Sequence, residues 1–168
     1  MKDNRILLTG FMGSGKSTIG RALSVRLGYP FVDTDALIEE MEGMTITEIF
    51  HKYGEPHFRT LEHRLTYELT KQDSLVVSSG GGFILTNAVY QLASSNFTIV
   101  YLDTPFEMCL SRIKKEDTRP LAQGKSDKEL FNLYNKRKDI YQVRCDFSVD
   151  ASQFLLSDIV NDIVEGLR

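Results

Sequence analysis

Short hydrophobic runs alternate along the chain with longer segments in which hydrophobic positions recur every three or four residues. The short runs, which predict β-strands, lie at residues 6–8, 31–32, 75–77, 98–102 and 147–149. The first, third and fourth runs are apolar without alternation, as is typical of strands covered on both faces. Because strands that alternate with helices build parallel sheets, the pattern predicts an α/β fold, a three-layer sandwich around a five-stranded parallel sheet.

The segments between the runs carry signals for helix starts and ends. A first helix is predicted after Gly15, and its apolar stripe ends before Gly28. Thr45 and Glu48 form a capping box for a short helix over 46–53. Further helices are predicted over about 56–70, from 106 and from about 154. The buried face of the last is predicted to hold Leu156, Ile159, Val160, Ile163 and Leu167.

The segment of about 114–128 breaks this pattern, since it is polar, contains Pro120 and Gly124 and has no apolar stripe. Unstructured loops of this length in compact domains are often functional. We expect a mobile lid, with an ordinary surface loop as the alternative. No internal repeat or low-complexity linker divides the chain, so we predict one domain over residues 1–168.

Composition and charge narrow the classes of function. Of the 168 residues, 42% are hydrophobic and 26% are charged, which excludes disordered and fibrous proteins. The net charge of −3 provides no basic field for a nucleic-acid backbone, so an anionic ligand must meet a local cluster of cations. We therefore expect no nucleic-acid partner.

The hydrophobic runs and the cysteines indicate the cellular location. No hydrophobic run approaches the ~20 residues of a membrane span, and the first strand starts too early for a signal peptide. Cys109 and Cys145 have no metal-ligand spacing and are predicted to be buried packing residues, as suits a reducing compartment. We expect a cytoplasmic protein with no membrane partner.

The strongest motif runs from Gly10 to Ser17 and matches the phosphate-binding loop G-x-x-x-x-G-K-[ST] between a predicted strand and a predicted helix. Its glycines let backbone N–H groups and the helix N-terminus approach the β- and γ-phosphates of a nucleotide. Lys16 supplies positive charge to the transferring phosphoryl group, and Ser17 offers a hydroxyl to Mg²⁺. The only Asn-Lys, at 135–136, lacks the x-Asp of guanine readers, so ATP is expected. The loop does not select the reaction.

Asp33 and Asp35 follow the second predicted strand, at the edge where open α/β sheets bind ligands. In an extended segment residues two apart point the same way, so both carboxylates are predicted to reach one cavity. One would approach Mg²⁺, and the other would accept a hydrogen bond from a substrate hydroxyl as a general base. The alternative is a helix N-cap at Thr34 or Asp35. Asp103, after the fourth strand, is a rival Mg²⁺ ligand.

Arg59 and Glu62 are neighbours on a predicted helix, and Glu62 lies beside its apolar stripe. They form either a plain surface ion pair or a partly desolvated pair in which Glu62 holds the guanidinium ready for a carboxylate. Gly80, Gly81 and Gly82 follow the third strand. They form either a flexible turn or a stretch of bare backbone that approaches a ligand.

Arg137 lies on the apolar stripe of a later helix, where a core residue is expected. Since arginine is rarely buried without a partner, Arg137 meets either an internal acid or an anionic ligand in a cleft. Arg119, next to Pro120 and Leu121 in the expected lid, is suited to act on phosphates as an arginine finger in cis.

These motifs, in this order and at these spacings, resemble the shikimate kinase family over residues 6–152. The resemblance rests on the phosphate-binding loop, Asp33-Thr34-Asp35, Phe58-Arg59-x-x-Glu62, Gly80-Gly81-Gly82, Arg119-Pro120-Leu121, and Arg137 followed by Tyr141. It implies a P-loop fold like that of nucleoside monophosphate kinases. It also implies transfer of the ATP γ-phosphoryl group to the 3-hydroxyl of shikimate, with Mg²⁺, on the route to chorismate and the aromatic amino acids.

The resemblance assigns a role to each group of residues. The nucleotide would contact Gly13, Ser14, Gly15, Lys16, Ser17, Thr18, Arg112 and Arg119, with Arg112 along the adenine, and Mg²⁺ would face Ser17 and Asp33. Shikimate, held by helices within about 34–71, would contact Asp35, Arg59, Glu62, Gly80, Gly81, Gly82 and Arg137 between walls at Phe50 and Phe58. Arg59 and Arg137 would bind its carboxylate, and Glu62 would orient Arg59. Lys16, Asp35 and Arg119 would be catalytic, with Asp35 as the base.

One departure from the family concerns the adenine side. The family often has a proline in the loop after the last strand, whereas residues 149–154 contain none. Two alternative functions stay open: a gluconate kinase-like sugar-acid kinase, and a nucleotide-binding switch without metabolite chemistry. Two arginines aimed at one carboxylate beside an aspartate favour a shikimate kinase, for which we expect a monomer.

Overall fold

The sheet predicted from the hydrophobic runs is present in the computed structural model, which describes residues 4–115, 122 and 124–168. The strands are β1 (Arg5–Thr9), β2 (Phe31–Asp33), β3 (Leu75–Ser78), β4 (Thr98–Asp103) and β5 (Phe147–Asp150). All neighbouring strands are parallel, in the order β2-β3-β1-β4-β5. The predicted parallel five-stranded sheet is confirmed.

The helices lie between the strands and after the last of them. They are α1 (Lys16–Leu27), α2 (Thr34–Glu42), α3 (Ile46–Tyr53), α4 (Glu55–Leu69), α5 (Asn87–Asn96), α6 (Phe106–Lys115), α7 (Asp127–Arg144) and α8 (Leu156–Gly166). A short 3-10 helix, Phe83–Leu85, follows β3. The predicted capping box at the start of α3 is confirmed, since Thr45 Oγ1 accepts the Glu48 N–H at 3.2 Å and the Glu48 carboxylate accepts the Thr45 N–H at 2.7 Å.

Successive residues of each strand face opposite sides of the sheet, and each side has its own hydrophobic core. On one side, Ile6 of β1 belongs to a cluster with Leu23 of α1 and Ile163 of α8. On the other, Leu7 of β1 belongs to a cluster with Leu65 of α4 and with residues of α5, α6 and α7. The three-layer arrangement is therefore confirmed.

The strand order explains where a ligand site forms. β1 lies at the centre of the sheet. The chain leaves β1 toward β2 on one side and leaves the neighbouring β3 toward β4 on the other side, so the two connections diverge between the carboxyl ends of β1 and β3. A crevice outside the strand ends at such a reversal is the usual ligand site of open α/β sheets. The segments after β1, β2 and β3 meet there.

The sequence placed the β2–α2 boundary wrongly. β2 ends at Asp33 and α2 begins at Thr34, so the segment 33–35 is not extended and the argument from alternating side chains does not apply. The N-cap is Asp33, not Thr34 or Asp35: its side chain accepts the N–H groups of Asp35 and Ala36 at 3.1 and 3.2 Å. A strand that passes directly into a helix leaves no extended residues between them.

Three other expectations need correction. The last helix begins at Leu156, which is 38% exposed, and Leu167 is half-buried. Cys109 is buried, but Cys145 is only half-buried because it lies at the C-cap of α7, near the surface. Both ends of the segment expected to form a lid are helical instead, since 114–115 belong to α6 and 127–128 to α7. Its centre, including Arg119, Pro120 and Leu121, lies outside the described residues.

None of the helices in the described ranges combines the length and the apolar character required to cross a bilayer.

Candidate active site

The loop between β1 and α1 forms a tight cradle of backbone. Gly13 and Gly15 have φ angles of +77° and +92°, in the left-handed region that favours glycine. A Cβ at Gly13 would lie 2.7 Å from the carbonyl oxygen of Cys109 in α6, so the packing also requires glycine there. The loop leads directly into the N-terminus of α1, where backbone N–H groups and the helix dipole attract anions.

Lys16 folds over this cradle. Its Nζ donates hydrogen bonds to the carbonyls of Gly10 and Phe11, at 2.9 and 2.8 Å, and to Ser14 Oγ at 3.2 Å. The residue is 8% exposed and lines the adjoining cavity. A positive charge is therefore fixed beside the amides that would receive a phosphate group.

Ser17 and Asp33 form the second part of the cradle. Ser17 Oγ donates to Asp33 Oδ2 at 2.6 Å and lies 3.2 Å from Ser78 Oγ. Asp33 is fixed because its other carboxylate oxygen caps α2. Hydroxyl and carboxylate oxygens suit Mg²⁺, which commonly binds one or two protein groups together with nucleotide phosphates. Across the described ranges, no cluster of three or more His, Cys, Asp or Glu side chains has the arrangement of a metal site.

Asp103, the rival metal ligand, accepts hydrogen bonds from two other side chains. Its Oδ1 accepts hydrogen bonds from Lys138 Nζ at 3.0 Å and from the Tyr101 hydroxyl at 3.2 Å. The hydrogen bond that Lys138 donates to Asp103 raises the pKa of Lys138, as the ion pair favours the charged ammonium. Asp103 is not among the described residues that line the cavity beside Ser17. The geometry favours Asp33 over Asp103 as the carboxylate near Mg²⁺.

A cavity of about 580 Å³ opens over the cradle. On the β2 and β3 side it is bounded by Asp33, Asp35 and the segment 78–81. On the other side it is bounded by Arg112, whose NH1 donates to the Gly13 carbonyl at 2.9 Å, and by residues of the β5–α8 connection and α8. Phe154 of that connection is 100% exposed although it borders the cavity.

A second cavity, of about 90 Å³, adjoins the first and is bounded by α3, α4, α7 and the segment after β3. Its apolar walls are Met12, Ile46, Phe50 and Phe58, and the rings of Phe50 and Phe58 lie 5.0 Å apart between centroids. Its polar lining consists of Asp35, Arg59, Glu62, Arg137 and the backbone of Gly80, Gly81 and Gly82. We call this space the acceptor cavity.

Arg59 and Glu62 form a desolvated ion pair in the acceptor cavity. Arg59 NH1 lies 2.7 Å from Glu62 Oε2, and its NH2 lies 2.8 Å from Glu55 Oε1. Glu62 is 0% exposed, so the interpretation as a plain surface pair is wrong. Burial raises the pKa of Glu62 to about 7 against the opposing effect of Arg59. Although burial by itself lowers the pKa of Arg59, its two carboxylate partners raise it overall.

Asp35 lies at the junction of the two cavities and lines both. Burial and the nearby Asp33 carboxylate raise its pKa to about 6, while Lys16 acts in the opposite direction. A carboxyl group with a pKa near the operating pH is a suitable general base. Asp35 therefore stands between a phosphate cradle and a space for an acceptor, with basicity suited to accept a proton.

The glycines after β3 fit closely against two of these side chains. A Cβ at Gly80 would lie 2.7 Å from Asp35 Oδ1, and one at Gly82 would lie 2.5 Å from Arg59 NH2. The Gly80 N–H donates to Thr34 Oγ1 at 3.1 Å, which fixes the segment against the start of α2. The alternative of a merely flexible turn is wrong, because only bare backbone leaves room for both side chains.

Unpaired polar atoms mark the acceptor cavity. Within the described ranges, the buried side-chain atoms without a hydrogen-bond partner include Asp35 Oδ1, Glu62 Oε1 and Arg137 NH1. All three residues line the acceptor cavity. Each such atom costs about 1–3 kcal/mol when left unpaired, so the cavity is adapted to a polar ligand that supplies partners.

The sequence predicted most of this site but missed some of its parts. Thr18 lines the larger cavity as expected, whereas Arg119 lies outside the described residues. Ser78 had no predicted role and Thr34 was considered only as a helix N-cap, although Ser78 ends β3 and Thr34 follows β2 at the edge where the site forms. Tyr141 was part of a motif but had no function, and its hydroxyl donates to the Gly81 carbonyl.

Comparison with known proteins identifies the family. The sequence model described as shikimate kinase matches residues 12–168. The shikimate kinase of Persephonella marina is 42% identical over 163 residues, which cover 97% of this chain and 98% of the relative. This chain belongs to the shikimate kinase family.

Solved structures agree with membership of the shikimate kinase family. A shikimate kinase from Acinetobacter baumannii, determined in complex with shikimate, superposes with a TM-score of 0.92 at 35% identity and covers 98% of this chain and 92% of its own. A gluconokinase from Sinorhizobium meliloti gives a TM-score of 0.62 at 21% identity, covering 99% of this chain and 92% of its own. The second likeness shows a shared fold alone, so the gluconate kinase alternative is not favoured.

The family membership confirms three expectations taken from the motifs. The resemblance to shikimate kinases is confirmed, and the chain is an ATP-dependent kinase rather than a switch without metabolite chemistry. The P-loop kinase fold is confirmed by the parallel sheet and by its neighbours among solved structures.

Proposed function

We propose that this chain transfers the γ-phosphoryl group of ATP to the 3-hydroxyl of shikimate, giving shikimate 3-phosphate and ADP. The observation that carries the proposal is the position of Asp35, which lines both the phosphate side and an acceptor cavity that also contains two arginines. The shikimate in a structural relative supports the choice of acceptor. The lining of the acceptor cavity, which combines two arginines and a carboxylate with aromatic walls, suits a small hydroxylated acid.

The nucleotide would lie in the larger cavity. Its β- and γ-phosphates would contact the amides of Gly13 to Thr18 and the ammonium of Lys16, which would leave its present carbonyl partners for phosphate oxygens. Arg112 would lie along the adenine, and the exposed ring of Phe154 offers a stacking surface where the family often has proline. Arg119 would act on the transferring phosphoryl group as an arginine finger.

Ser17 and Asp33 would hold Mg²⁺, because their oxygens lie together beside the phosphate cradle. When bound, the ion would neutralise charge on the phosphates. The two side chains would orient the ion, and the helix cap would keep the Asp33 carboxylate in place.

Shikimate would lie in the acceptor cavity with its carboxylate between Arg59 and Arg137. Glu62 would fix the guanidinium of Arg59 through the 2.7 Å contact with NH1, and Glu55 would hold Nε and NH2. The second N–H groups of NH1 and NH2 would then donate to the substrate carboxylate. The apolar face of the ring would pack against Phe50 and Phe58. These contacts supply the local cations that a chain of net charge −3 requires for an anionic acceptor.

In the reaction, the 3-hydroxyl oxygen would form a bond to the γ-phosphorus while the bond from that phosphorus to the bridging oxygen of ADP breaks. The hydroxyl proton would pass to Asp35 Oδ1, which has no partner among the described residues. Lys16 would stabilise the negative charge on the transferring group and on ADP. Most of the rate enhancement would come from this positioning and charge stabilisation.

The proposed enzyme acts as a monomer, since residues of one chain line both cavities. We place it in the cytoplasm, where the thiols of its two cysteines, Cys109 and Cys145, would stay reduced. The expected lid around 116–126 would exclude water during transfer.

The test is release of ADP on addition of shikimate to the purified chain with MgATP, followed by a coupled assay and by mass spectrometry of the product. Gluconate and water alone are the comparison acceptors. We expect shikimate-dependent ADP release, together with a product heavier than shikimate by one phosphoryl group. Slow ADP release that does not respond to shikimate would contradict the proposal.

A further inference from the structure

The hydroxyl of Tyr141 links two parts of the acceptor cavity. Tyr141 lies on α7, is 0% exposed, and donates a hydrogen bond to the carbonyl oxygen of Gly81. One helical turn earlier on the same helix is Arg137, which lines the acceptor cavity. Burial raises the pKa of Tyr141 to about 12, and the neighbouring Arg137 guanidinium opposes this rise. The phenol therefore stays protonated and available as a donor at neutral pH.

A hydrogen bond to the Gly81 carbonyl fixes the middle of the three-glycine segment. Three consecutive glycines have the greatest conformational freedom of any such segment, and their order must be imposed by contacts. Gly80 approaches Asp35 and Gly82 approaches Arg59 more closely than any side chain would permit. Gly81 lies between them, so a hydrogen bond to its carbonyl sets the position of both neighbours against the base and the ion pair.

Other contacts hold Tyr141 itself. Its ring stacks on that of Tyr101 in β4, with centroids 5.4 Å apart and planes at 30°. The Tyr101 hydroxyl donates to Asp103, which also accepts a hydrogen bond from Lys138 on α7. Asp103 thus belongs to a partly buried polar network that connects α7 to β4. Because the Tyr141 ring is held against β4 in this way, its hydroxyl can fix the position of the glycine segment relative to the sheet.

We propose that Tyr141 is the positioning residue for the acceptor carboxylate, because its hydroxyl fixes the Gly81 backbone and the adjacent Arg137 in one arrangement. It touches neither nucleotide nor acceptor and acts through these two groups. Without the hydroxyl, the Gly81 carbonyl would lose its donor and the glycine segment would regain freedom. The guanidinium of Arg137 would lose its polar neighbour and sample other rotamers. The inference rests on the proposed function, since it concerns the acceptor of that reaction.

The test compares two variants that remove the same atom from the same helix. Tyr141→Phe removes the hydroxyl that contacts Gly81, and Tyr134→Phe removes one that donates to the Thr104 carbonyl at 2.9 Å. Both residues are buried, so both variants should lower the melting temperature by similar amounts. We expect Tyr141→Phe to raise the shikimate KM about tenfold, as for loss of one hydrogen bond, with kcat and the ATP KM nearly unchanged. Tyr134→Phe should leave the shikimate KM unchanged.

Tyr141→Phe with a wild-type shikimate KM and a melting temperature lowered as in Tyr134→Phe would overturn the inference, because the residue would then be only structural. Should Tyr141→Phe not fold, Tyr101→Leu removes the stacked ring but keeps the Tyr141 hydroxyl, and it should raise the shikimate KM with the same selectivity. An unchanged KM in that variant would equally overturn the inference.

A double-mutant cycle tests the part that acts through Arg137. In an Arg137→Ala background, Tyr141→Phe should change shikimate kcat/KM by a smaller factor than in the wild type. The same factor in both backgrounds would overturn that part of the inference. Wild-type activity on shikimate is measured first, so failure of the proposed function is distinguished from failure of this inference.

Discussion

At the scale of single residues, the chemistry depends on carboxylates that the fold keeps away from water. Asp35 has a raised pKa because it is desolvated and lies near Asp33, and Glu62 has a raised pKa because it is fully buried. Buried unpaired polar atoms reduce stability, and such costs concentrate at functional sites. The unpaired oxygens of Asp35 and Glu62 follow this pattern.

Replacing Asp35 with asparagine should therefore separate stability from activity. The folded-state pKa of about 6 lies above the ordinary value of 3.8, so the free energy of unfolding falls as the pH rises from 3.8 to about 6, and the full cost of ionising Asp35 is present above that. A neutral amide relieves that cost. We expect Asp35→Asn to have a higher melting temperature at pH 8, unchanged ADP affinity, and a kcat lowered roughly 10²-fold or more. Calorimetry and the coupled assay measure these quantities.

Asp103→Asn is the matched control, since Asp103 is paired with Lys138 outside both cavities. It should keep most of the turnover and lose stability. Near wild-type kcat in Asp35→Asn would contradict the role of Asp35 as the base.

The raised pKa of Asp35 predicts that activity depends on pH. Because the proposed base must be ionised, kcat/KM for shikimate should fall as the pH drops through about 6. The slope should approach about tenfold per pH unit below that value. A pH profile of initial rates measures the effect, with enzyme stability checked at each pH. An acidic limb that stays near pH 4 would show that the Asp35 carboxyl does not control the rate.

At the scale of elements, the segment after β3 matters because its three glycines have no side chains. Gly80 and Gly82 bring backbone against Asp35 and Arg59, and helices α2, α4 and α7 all contribute side chains to the same small space. The elements are regular, but the site lies where their ends converge. Because the packing at that point is close, one added methyl group should displace a neighbouring side chain.

Gly82→Ala tests this packing. Gly82 has a φ of −96°, so alanine fits its backbone, but the new Cβ would lie 2.5 Å from Arg59 NH2. We expect Arg59 to be displaced and the shikimate KM to rise by about tenfold, the size typical of overpacking by 1–3 kcal/mol. Steady-state kinetics and a melting curve measure the effects on binding and on stability.

Gly81→Ala is the comparison, since its Cβ would approach no closer than 3.4 Å, to Arg137 NH1. It should raise the KM less. Equal effects of the two substitutions would contradict the steric explanation.

At the scale of the whole molecule, two cavities share one wall. Asp35, Gly80 and Gly81 line both, whereas Lys16 lines only the larger cavity and Arg137 only the smaller. This division would place the two proposed substrates side by side at the edge of the sheet. It also means that each ligand would meet different cationic side chains, while Asp35 faces both.

Thermal shifts with each ligand test that division. A ligand at 100 times its Kd adds about 2.7 kcal/mol of stability, which raises the melting temperature by several degrees. We expect Lys16→Ala to lose most of the ADP-induced shift and keep the shikimate-induced shift, and Arg137→Ala to show the reverse. Loss of both shifts in each variant would contradict the separation of the two sites.

The sequence by itself determined the parallel sheet, most of its helices and the phosphate cradle. These follow from hydrophobic periodicity and from a loop whose conformation is fixed within eight residues, Gly10 to Ser17, so local rules suffice. The capping box of α3 is similarly local. The family could be recognised because its motifs keep their order along the chain.

Only the tertiary structure decided how those parts meet. It made Asp33 a helix cap, paired Asp103 with Lys138, buried Glu62 completely and placed Gly82 against Arg59. The last three facts depend on contacts between residues distant in sequence or on the burial that surrounding elements impose, whereas the Asp33 cap is a local contact that depends on where β2 ends. Burial and close approach are properties of the packed molecule, and they set the basicity of Asp35 and the shape of the acceptor cavity.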